Sequence, residues 1–411
     1  MTQALLPPVR SRTGIVTVSP DAILSVGALS GLVLHPLLGS LGALVFLGFG
    51  TAMLARHWSK IVPLLIKYWF IFLVPVFCTA SFMWSQYPVL SLRSGIQLSA
   101  TFFIAVIIAT QITPQIFSRA LFALMAICMI SSVAFGHVRW DGAWLGIYAS
   151  KNAMAGAAAV FVIIGSSQVL DSRAGYGYRL TALFAFLSGA ILLILAQSVG
   201  ATLLVPLAIM LQFSLLVLYR LSPTQRVVTV GAVVFISALI VLLAVINADA
   251  LIRILLETTG KDLTLTGRTD LWQIAREFIA EKPAFGLGYR AFWVRGNPSA
   301  EALWFMFGVE SGAGFSFHNT YYSNAVEIGI AGVMMQVFVL YSAAILTGLW
   351  AIRTRDTDAT LLFSLVMMAI MQSFIEVTVF FQFSLLTVVV VSAFVFAIRA
   401  AEQRRTRPSS Q

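Results

Sequence analysis

The stretch "SGAGFSFHNTYYSNAVEIGIAGVMM", Ser311 to Met335, decides the fold class. A glycine-rich polar segment ends in His318 and Asn319, and a long apolar run begins directly after it. Apolar runs of about 20 residues, the length that crosses a hydrocarbon core of about 30 Å, recur along the chain. Only 10% of the 411 residues are charged, against roughly 25% in soluble domains. The sequence therefore predicts an all-α polytopic membrane protein.

The apolar runs predict about twelve transmembrane helices. The predicted spans cover residues 22–38, 40–55, 61–80, 95–112, 118–135, 153–170, 180–197, 201–219, 227–246, 320–348, 359–376 and 380–398. The predicted organisation is a tail at 1–20, nine helices within 21–246, a long loop at 247–317, three helices within 318–399 and a second tail at 400–411. No cleaved signal peptide is evident. Cys78 and Cys128 lie in apolar runs, where we expect them to be buried and free.

Basic residues in the short connections fall on one side of the predicted bundle. They are Arg10, Arg12, Arg56, Lys60, Arg119, Arg173, Arg179, Arg220, Arg226, Arg353 and Arg355, with Arg399, Arg404, Arg405 and Arg407 near the end of the chain. Because short cytoplasmic loops are enriched in Lys and Arg, both termini are predicted in the cytoplasm. The same enrichment explains the net charge of +10, so we expect no nucleic-acid binding.

The predicted loop 247–317 lies on the opposite face and is far longer than a usual connection of a few residues. Its many aromatic side chains distinguish it from a solvated tail; among them are Trp272, Phe278, Phe285, Tyr289, Phe292, Trp293, Trp304 and Phe305. Within it, "TGRTDLWQIAREFIAEKPAFGLGY" repeats apolar residues at helical spacing. This pattern predicts an amphipathic helix that Thr266 or Thr269 caps and that ends at Pro283 and Gly286.

His318 allows two interpretations. A lone histidine at a membrane interface is most often a hydrogen-bonded residue without a catalytic role. However, the chain contains only four histidines, and His318 lies where the polar loop meets the bundle. That position favours a general base, or a ligand for an anion, in a pocket with one wet side. No His or Cys lies at ligand spacing from it, so we expect no metal ion and no other cofactor.

Basic residues of the same face are candidates for binding an anion. In "GRTDLW", Arg268 precedes a predicted helix start, where a guanidinium and backbone N–H groups can bind one anion together. The alternative is a weak surface ion pair with Asp270 or Asp262. Arg290, in the packed turn "EKPAFGLGYRAFW", is placed to face the same anion.

The stretch "GHVRWDGAWLGIYASKNAMAG", Gly136 to Gly156, offers Arg139, Lys151 and Asn152 on that face, either as headgroup anchors or as pocket residues. Nucleotide-binding loops and a serine-elbow motif are missing from the sequence. Lys67 and Glu376 are the main predicted intramembrane charges. A transporter usually carries a string of such groups along its path, and the sequence has no clear string.

Five of these stretches occur in the order found in the O-antigen ligase and polymerase superfamily. They are "WSQYP" (84–88), "SKN" (150–152), "GRTDLW" (267–272), "EKPAFGLGYRAFW" (281–293) and "HNTYYSNAVEIGIAG" (318–332). The resemblance covers roughly residues 60 to 395 and is greatest to exopolysaccharide polymerases of the ExoQ type.

The resemblance implies a GT-C-like glycosyltransferase of the bacterial inner membrane. Its donor would be an undecaprenyl-diphosphate-linked oligosaccharide, used at the periplasmic face without a metal ion or a nucleotide. Arg268 would contact the diphosphate, and His318 the acceptor hydroxyl. The further predicted site residues are Arg290, Lys151 and Arg139 for the donor, and Asn319, Tyr322, Trp272 and Asn152 for the acceptor. The implied partners are membrane lipid and a chain-length regulator or flippase of the same pathway.

One stretch departs from the family pattern. Many members carry Ser-x-Ser-Arg/Lys-Thr between the seventh and eighth spans, where this chain reads "AQSVGATL", Ala196 to Leu203, without a basic residue. Lys151 or Arg290 is the expected replacement. The sequence does not separate a polymerase, which extends lipid-linked repeat units, from a ligase, which transfers the glycan to lipid A core or another acceptor. A transporter of lipid-linked glycans and a scaffold of an export complex are the alternatives from other classes.

Overall fold

The computed structural model describes residues 19–218, 221, 222, 224–233, 235, 267–312 and 314–406. The helices with described bounds are α1 (Pro20–Val33), α2 (His35–Leu38), α3 (Leu41–Arg56), α4 (Ile61–Lys67), α5 (Trp69–Ala80), α6 (Pro88–Gln111), α7 (Pro114–Phe135), α8 (Lys151–Leu170), α9 (Tyr176–Leu195), α10 (Val199–Leu218), α11 (Arg268–Glu281), α12 (Pro298–Met306), α13 (Thr320–Arg353), α14 (Thr357–Ser373) and α15 (Leu385–Thr406). Short 3₁₀ turns cover Trp58–Lys60 and Ser81–Met83. Strands β1 (His137–Val138) and β2 (Trp144–Gly146) pair antiparallel, with His137 opposite Gly146.

Apolar helices dominate this part of the chain. Six are long and apolar enough to cross a membrane, namely α6, α7, α8, α9, α13 and α15. A bent pair makes a seventh if it counts as one span, and α1, α10, α14 and the α5 segment are apolar but shorter. The chain is therefore an all-α polytopic membrane protein, as predicted. The total of twelve spans stays a prediction, because residues 236–266 lie outside the described residues.

The third predicted span, residues 61–80, does not form one helix. Helix α4 ends at Lys67, Tyr68 leaves helical geometry, and only α5 continues the predicted span. The segment Trp58–Lys67 instead meets α3 at an angle of 80°. Lys67, predicted as an intramembrane charge, donates to Glu402 in α15 at 2.6 Å, and both side chains are well exposed. The break at Tyr68 therefore allows Lys67 to pair with Glu402 at the end of the bundle.

Several short connections between helices, which the charge pattern predicted on one side of the membrane, lie together at one end of the bundle. Arg173 contacts Asp171 and Asp358, at 2.7 Å each, and we call these three residues the aspartate cluster. Arg119 lies 3.5 Å from Asp171, and Ser118 donates to Asp358. The starts of α7, α9 and α14 and the end of α8 thus lie together, in agreement with the charge pattern. Their position in the cytoplasm stays a prediction.

Helix α13 folds back on itself at Gly329, which has φ 66° and ψ −177°. The hydroxyls of Tyr321 and Tyr341 lie 3.2 Å apart, although 20 residues of straight helix would span about 30 Å. Asn324 likewise donates to Gln336 at 2.7 Å. The predicted tenth span, 320–348, is therefore two antiparallel helical segments. The first leads away from His318, and only the second has the length to cross a bilayer.

The turn at Pro283–Gly288 supports this break. Backbone N–H groups of Leu287 and Gly288 donate to the carbonyls of Val326 and Glu327, which lose their helical partners at the fold. In return, the N–H groups of Ile330 and Ala331 donate to the carbonyls of Pro283 and Ala284. Buried backbone groups need such partners. The glycine-rich, aromatic turn therefore packs the loop against the break in α13, in agreement with its prediction as a packed turn.

The described part of the long loop has a hydrophobic core of its own. Its fully buried members are Leu271, Ala275, Leu287, Phe292, Leu303, Phe317 and Val326. Helix α11 confirms the predicted amphipathic helix, and it ends before Pro283 as expected. The predicted cap at Thr269 is wrong, because the helix starts at Arg268 after Gly267, whose φ of 77° suits glycine. Thr266 lies outside the described residues.

Candidate active site at the junction of loop and bundle

Three side chains converge on the carboxylate of Glu376. Arg268 Nη2 lies 3.0 Å from Oε1, and Asn152 Nδ2 donates to the same oxygen at 2.9 Å. His318 Nδ1 lies 3.0 Å from Oε2. Ser198 extends the network by donating to Asn152 Oδ1 at 3.2 Å. We call Glu376, Arg268, His318, Asn152 and Ser198 the Glu376 cluster; it joins α8, α11, the α9–α10 connection, the end of the loop and the α14–α15 connection.

His318 is held by the backbone around it. Its φ is +48°, a left-handed conformation that is uncommon for a residue with a Cβ. Its N–H donates to Ser316 Oγ at 3.2 Å. Its ring meets the ring of Phe315 edge to face, with centroids 5.8 Å apart. The half-buried imidazole of His318 is therefore held between the ring of Phe315 and the carboxylate of Glu376. Such a fixed position is typical of a functional residue.

The start of α13 is bonded directly to the segment that carries Glu376. Asn319 caps the helix, because its Oδ1 accepts from the N–H groups of Tyr321 and Tyr322. Its Nδ2 donates to the carbonyl of Phe374 at 3.0 Å. Thr320 Oγ1 donates to the carbonyl of Glu376 at 2.8 Å. These bonds fix His318 relative to Glu376, and they engage both Oδ1 and Nδ2 of the Asn319 side chain within the protein.

Arg268 is the first residue of α11, and its side chain reaches across to the bundle. A Cβ at Gly267 would collide with the ring of Phe307, so both the turn and the packing require glycine there. The guanidinium pairs with Glu376 and not with Asp270, the alternative that the sequence left open. Asp262, the other alternative, lies outside the described residues. Arg268 is only about one fifth exposed at its side chain, so its ion pair is better shielded than a surface pair.

A cavity of about 550 Å³ opens beside the Glu376 cluster. Its walls are Asp141, Lys151, Gln197, Ser198, Val199, Thr202 and Leu203. Arg139 forms a two-pronged ion pair with Asp141, and Lys151 Nζ lies 3.9 Å from the same carboxylate. The hydrogen bonds from Arg139 are the main reason that the pKa of Asp141 falls to about 2. Asp141 therefore stays charged, and the positive charge of Lys151 is only partly offset.

The other predicted site residues divide into two groups. Trp272 and Tyr322 stack with ring centroids 5.9 Å apart, and Trp272 donates to the carbonyl of Phe317. They therefore form a wall next to His318. Arg290 is exposed, has a φ of +59°, and bonds through its backbone N–H to Glu327 Oε2. Within the described residues, no hydrogen bond or ion pair joins its side chain to the Glu376 cluster.

Glu376 and Ser198 are the site residues that the sequence did not assign. Glu376 was noted only as an intramembrane charge, and Ser198 only as part of a stretch without a basic residue. The separation of 58 residues between Glu376 and His318 gives no local pattern to detect. For Glu376, the sequence offered one signal: it is a charged residue in an otherwise apolar stretch. An ionisable group in such a stretch is a candidate for a functional role.

The length of α8 relates this site to the bilayer. Its 20 residues span about 30 Å, which matches the thickness of a hydrocarbon core. Asn152, at its start, belongs to the Glu376 cluster, and Asp171, just after its end, belongs to the aspartate cluster. The two polar clusters are thus one bilayer thickness apart. The Glu376 cluster and the aspartate cluster accordingly lie at opposite ends of α8.

The arrangement combines three chemical capacities. Glu376 orients the imidazole of His318 and leaves its second nitrogen free to take a proton. Arg268 offers a guanidinium to an anion, which would compete with Glu376 for it. The cavity supplies a partly apolar, partly cationic space next to both. Among the described residues, no group of three or more His, Cys, Asp or Glu side chains has the arrangement of a metal site.

Comparison with known proteins gives this site a family context. Residues 183–337 match the family model described as "O-Antigen ligase". The chain is also 31% identical, over 358 residues, to the exopolysaccharide production protein ExoQ of Rhizobium meliloti (strain 1021), covering 83% of this chain and 79% of that protein. The matches include α11, the turn after it and His318. The chain therefore belongs to the O-antigen ligase and polymerase superfamily and is ExoQ-like within it.

Proposed function

We propose that this protein is a bacterial inner-membrane glycosyltransferase that polymerises undecaprenyl-diphosphate-linked oligosaccharide repeat units into exopolysaccharide. The observation that carries the proposal is the convergence of Arg268 and His318 on Glu376, beside a cavity at a membrane boundary. A lipid-borne diphosphate and a water-borne sugar hydroxyl meet at such a boundary. The family membership and the name of the ExoQ relative support the same assignment.

In the proposed reaction, the acceptor hydroxyl oxygen attacks the anomeric carbon of the donor. The bond between that carbon and the diphosphate oxygen breaks, and the diphosphate leaves with its electron pair. His318 Nε2 takes the hydroxyl proton, help that is typically worth about 10²–10⁴-fold in rate. Arg268 leaves Glu376 to stabilise the charge that grows on the leaving group. Since a guanidinium does this, the proposed reaction uses no metal ion and no nucleotide.

Lys151 is the better candidate for the basic group that the stretch Ala196–Leu203 lacks. Its side chain lines the same cavity as Ser198 and Thr202 of that stretch. Arg290 has no contact of this kind among the described residues. We therefore assign the second diphosphate contact to Lys151, with Arg139 fixing Asp141 beside it. Trp272 and Tyr322 form the aromatic surface against which the acceptor sugar stacks.

A ligase is the second candidate, because the matching family model is described as an O-antigen ligase. Both activities use the same donor chemistry and differ in the acceptor. A transporter fits less well, since the described ionisable side chains of the site gather at one end of α8 and do not line its length. We place the active site on the periplasmic face and both termini in the cytoplasm, following the distribution of basic residues.

The test uses purified protein in lipid nanodiscs with the lipid-linked repeat unit as the only substrate. A ladder of longer lipid-linked glycans is expected and identifies a polymerase. Transfer only after another acceptor is added identifies a ligase, and no transfer to any acceptor refutes glycosyl transfer. His318→Gln should abolish the ladder. The matched control is His137→Gln, an exposed histidine in β1 that lies outside the Glu376 cluster, and it should retain the wild-type ladder.

A further inference from the structure

The α4 segment, which we define as Trp58–Lys67, runs across the ends of two long helices. Lys60 Nζ donates to the side-chain oxygen of Gln111, the last residue of α6, at 3.1 Å. Lys67 Nζ donates to Glu402 Oε2, near the end of α15, at 2.6 Å. Seven helical residues cover about 11 Å, close to the distance of about 8–10 Å between packed helices, and α6 packs on α15. The segment therefore lies over the ends of this pair and does not continue either helix.

The α4 segment belongs to the end of the bundle that holds the aspartate cluster. Helix α7 begins directly after α6, and its Ser118 donates to Asp358 of that cluster at 2.8 Å. Next to the start of the segment, Arg56 pairs with Asp21 of α1 at 3.0 Å. Since α6 and α15 are long and apolar enough to cross a membrane, a helix across their ends lies parallel to the membrane plane.

Three sides of the α4 segment have different surroundings. Trp58, Val62 and Ile66 recur every four residues and are 76%, 62% and 69% exposed. Leu64 and Leu65 face the bundle and pack against its hydrophobic core. The two lysines lie on a third side, about 20° apart around the helix axis and about 140–160° away from Val62. A helix with an exposed apolar side and a basic side is typical of the membrane interface.

The exposed apolar side of the segment continues into the outward face of α5. Trp69, Leu73 and Val76 of α5 are exposed and follow at helical spacing. Trp58 and Trp69 flank the segment, and tryptophan is enriched at the level of the lipid headgroups. Acyl chains that cover the outward face of α5 also reach the segment. A lipid therefore fits this side better than a protein partner does.

Lys60 supplies a charge that distinguishes an anionic headgroup from a zwitterionic one. Arg56 and Lys67 are already paired with Asp21 and Glu402. The hydrogen bond of Lys60 goes instead to a neutral amide, and no carboxylate of the described residues forms an ion pair with its ammonium. The side chain is exposed, so its remaining N–H groups can donate to a phosphate at the membrane surface.

We propose that the α4 segment lies in the interface of one leaflet and binds an anionic phospholipid. Lys60 binds the headgroup, and Trp58, Val62 and Ile66 lie among the acyl chains. The partner is a lipid such as phosphatidylglycerol, whose phosphodiester carries the negative charge and whose acyl chains cover the apolar side. This surface is separate from the Glu376 cluster and does not depend on the proposed glycosyl transfer.

Quenching of tryptophan fluorescence by brominated phospholipids tests the position of the segment. Full-length protein is reconstituted in nanodiscs, and the signal of Trp58 is obtained by subtracting that of Trp58→Phe. A second reporter, Ile66→Trp in the Trp58→Phe background, lies near the other end of the segment. Both reporters should be quenched best by bromines close to the headgroup, and at equal depth. If the segment crossed the bilayer, the two reporters would differ in depth by about 12 Å, and the proposal would be overturned.

The preference for an anionic headgroup is tested with the same Trp58 signal. Brominated phosphatidylglycerol should quench it about fivefold more effectively than brominated phosphatidylcholine, the ratio expected for one lysine near an anionic lipid. Lys60→Gln should remove this preference, and Lys60→Arg should keep it. Lys282→Gln, the matched change of an exposed lysine in the long loop, should have no effect. Equal quenching by the two lipids, or a preference that survives Lys60→Gln, would refute the headgroup site.

Discussion

Glu376 Oε2 lies 3.0 Å from His318 Nδ1, although 58 residues separate the two in the chain. A carboxylate only accepts hydrogen bonds, so the tautomer that bonds to it has its proton on Nδ1. The lone pair of Nε2 is then free to receive the proton of an acceptor hydroxyl. The same carboxylate also holds Arg268, so one residue positions both proposed catalytic groups.

Glu376→Gln should reduce the rate of glycosyl transfer by about 10²-fold. The amide keeps the size of the side chain and can still accept from His318, but it no longer stabilises the imidazolium that forms, nor does it hold Arg268 by charge. Rates are measured as product formed per minute in nanodiscs, with KM and kcat separated. Since the loss is electrostatic, it should appear in kcat, with the melting temperature close to that of the wild type.

A double variant tests whether Glu376 acts through His318. If it does, Glu376→Gln combined with His318→Gln should be no slower than His318→Gln alone, since residues that act as a unit are not additive. Fully multiplicative losses would show instead that Glu376 acts on its own. Tyr321→Phe, which removes a hydroxyl bonded to Tyr341 outside the Glu376 cluster, is the control and should retain activity.

Gly329→Ala should prevent the protein from folding into a stable form. The conformation of Gly329, φ 66° and ψ −177°, is essentially restricted to glycine, and a Cβ there would overlap with the backbone of Ala284. The fold-back that brings Tyr321 to Tyr341 would then be lost, with a large drop in detergent-stable protein on size-exclusion chromatography. Gly156→Ala, in α8 with open space around it, is the control; if both variants behaved alike, the fold-back would not depend on Gly329.

Asn319→Ala should both destabilise the protein and slow catalysis. The loss of the helix cap costs about 1 kcal/mol. The loss of the bond to Phe374 removes one of the bonds that fix the segment of His318 relative to Glu376. Asn319→Ser, which keeps a capping oxygen, should recover part of the melting temperature. The sequence predicted instead that Asn319 binds the acceptor. A higher KM for the acceptor with an unchanged melting temperature and kcat would favour that prediction over the structural role.

The sequence could identify the membrane class and α11, because each has a local signal in composition or periodicity. It also named Arg268, which precedes a helix start, and His318, one of four histidines, as candidates, and their roles stay predictions. Their meeting on Glu376 had no such signal, since long-range contacts depend on how helices pack. Asn152 is an intermediate case. The sequence predicted it on the same face as Arg268 and His318, and the three side chains do lie together, but no sequence pattern indicated its bond to Glu376.

The fold-back of α13 shows why the predicted tenth span differed from the structure. The run after His318 keeps an apolar composition through Gly329, so hydropathy alone reads it as one span. What breaks it is the turn at Pro283–Gly288, more than 40 residues earlier, which supplies the hydrogen bonds that a broken helix needs. The predicted cap at Thr269 is wrong because the helix begins one residue earlier, at Arg268, which leaves Thr269 inside the first turn.

Arg173→Gln should lower the free energy of unfolding by about 1–3 kcal/mol, through the end of the bundle opposite to the candidate site. The loss should be smaller than on breaking a fully buried ion pair, because the arginine side chain is 43% exposed. Burial raises the pKa of Asp171, but the hydrogen bonds and charge of Arg173 outweigh it and lower that pKa below the ordinary value of 3.8. A lowered pKa contributes stability above pH 3.8 that is lost as the pH falls through the native value. The difference in melting temperature between wild type and variant should therefore be largest near neutral pH and shrink below pH 3.8. The control is Arg179→Gln, which loses a bond to the carbonyl of Val169. Its melting temperature should differ from that of the wild type by a small amount that does not depend on pH. If both variants had the same dependence on pH, Arg173 would stabilise the protein through packing and not through its aspartate partners.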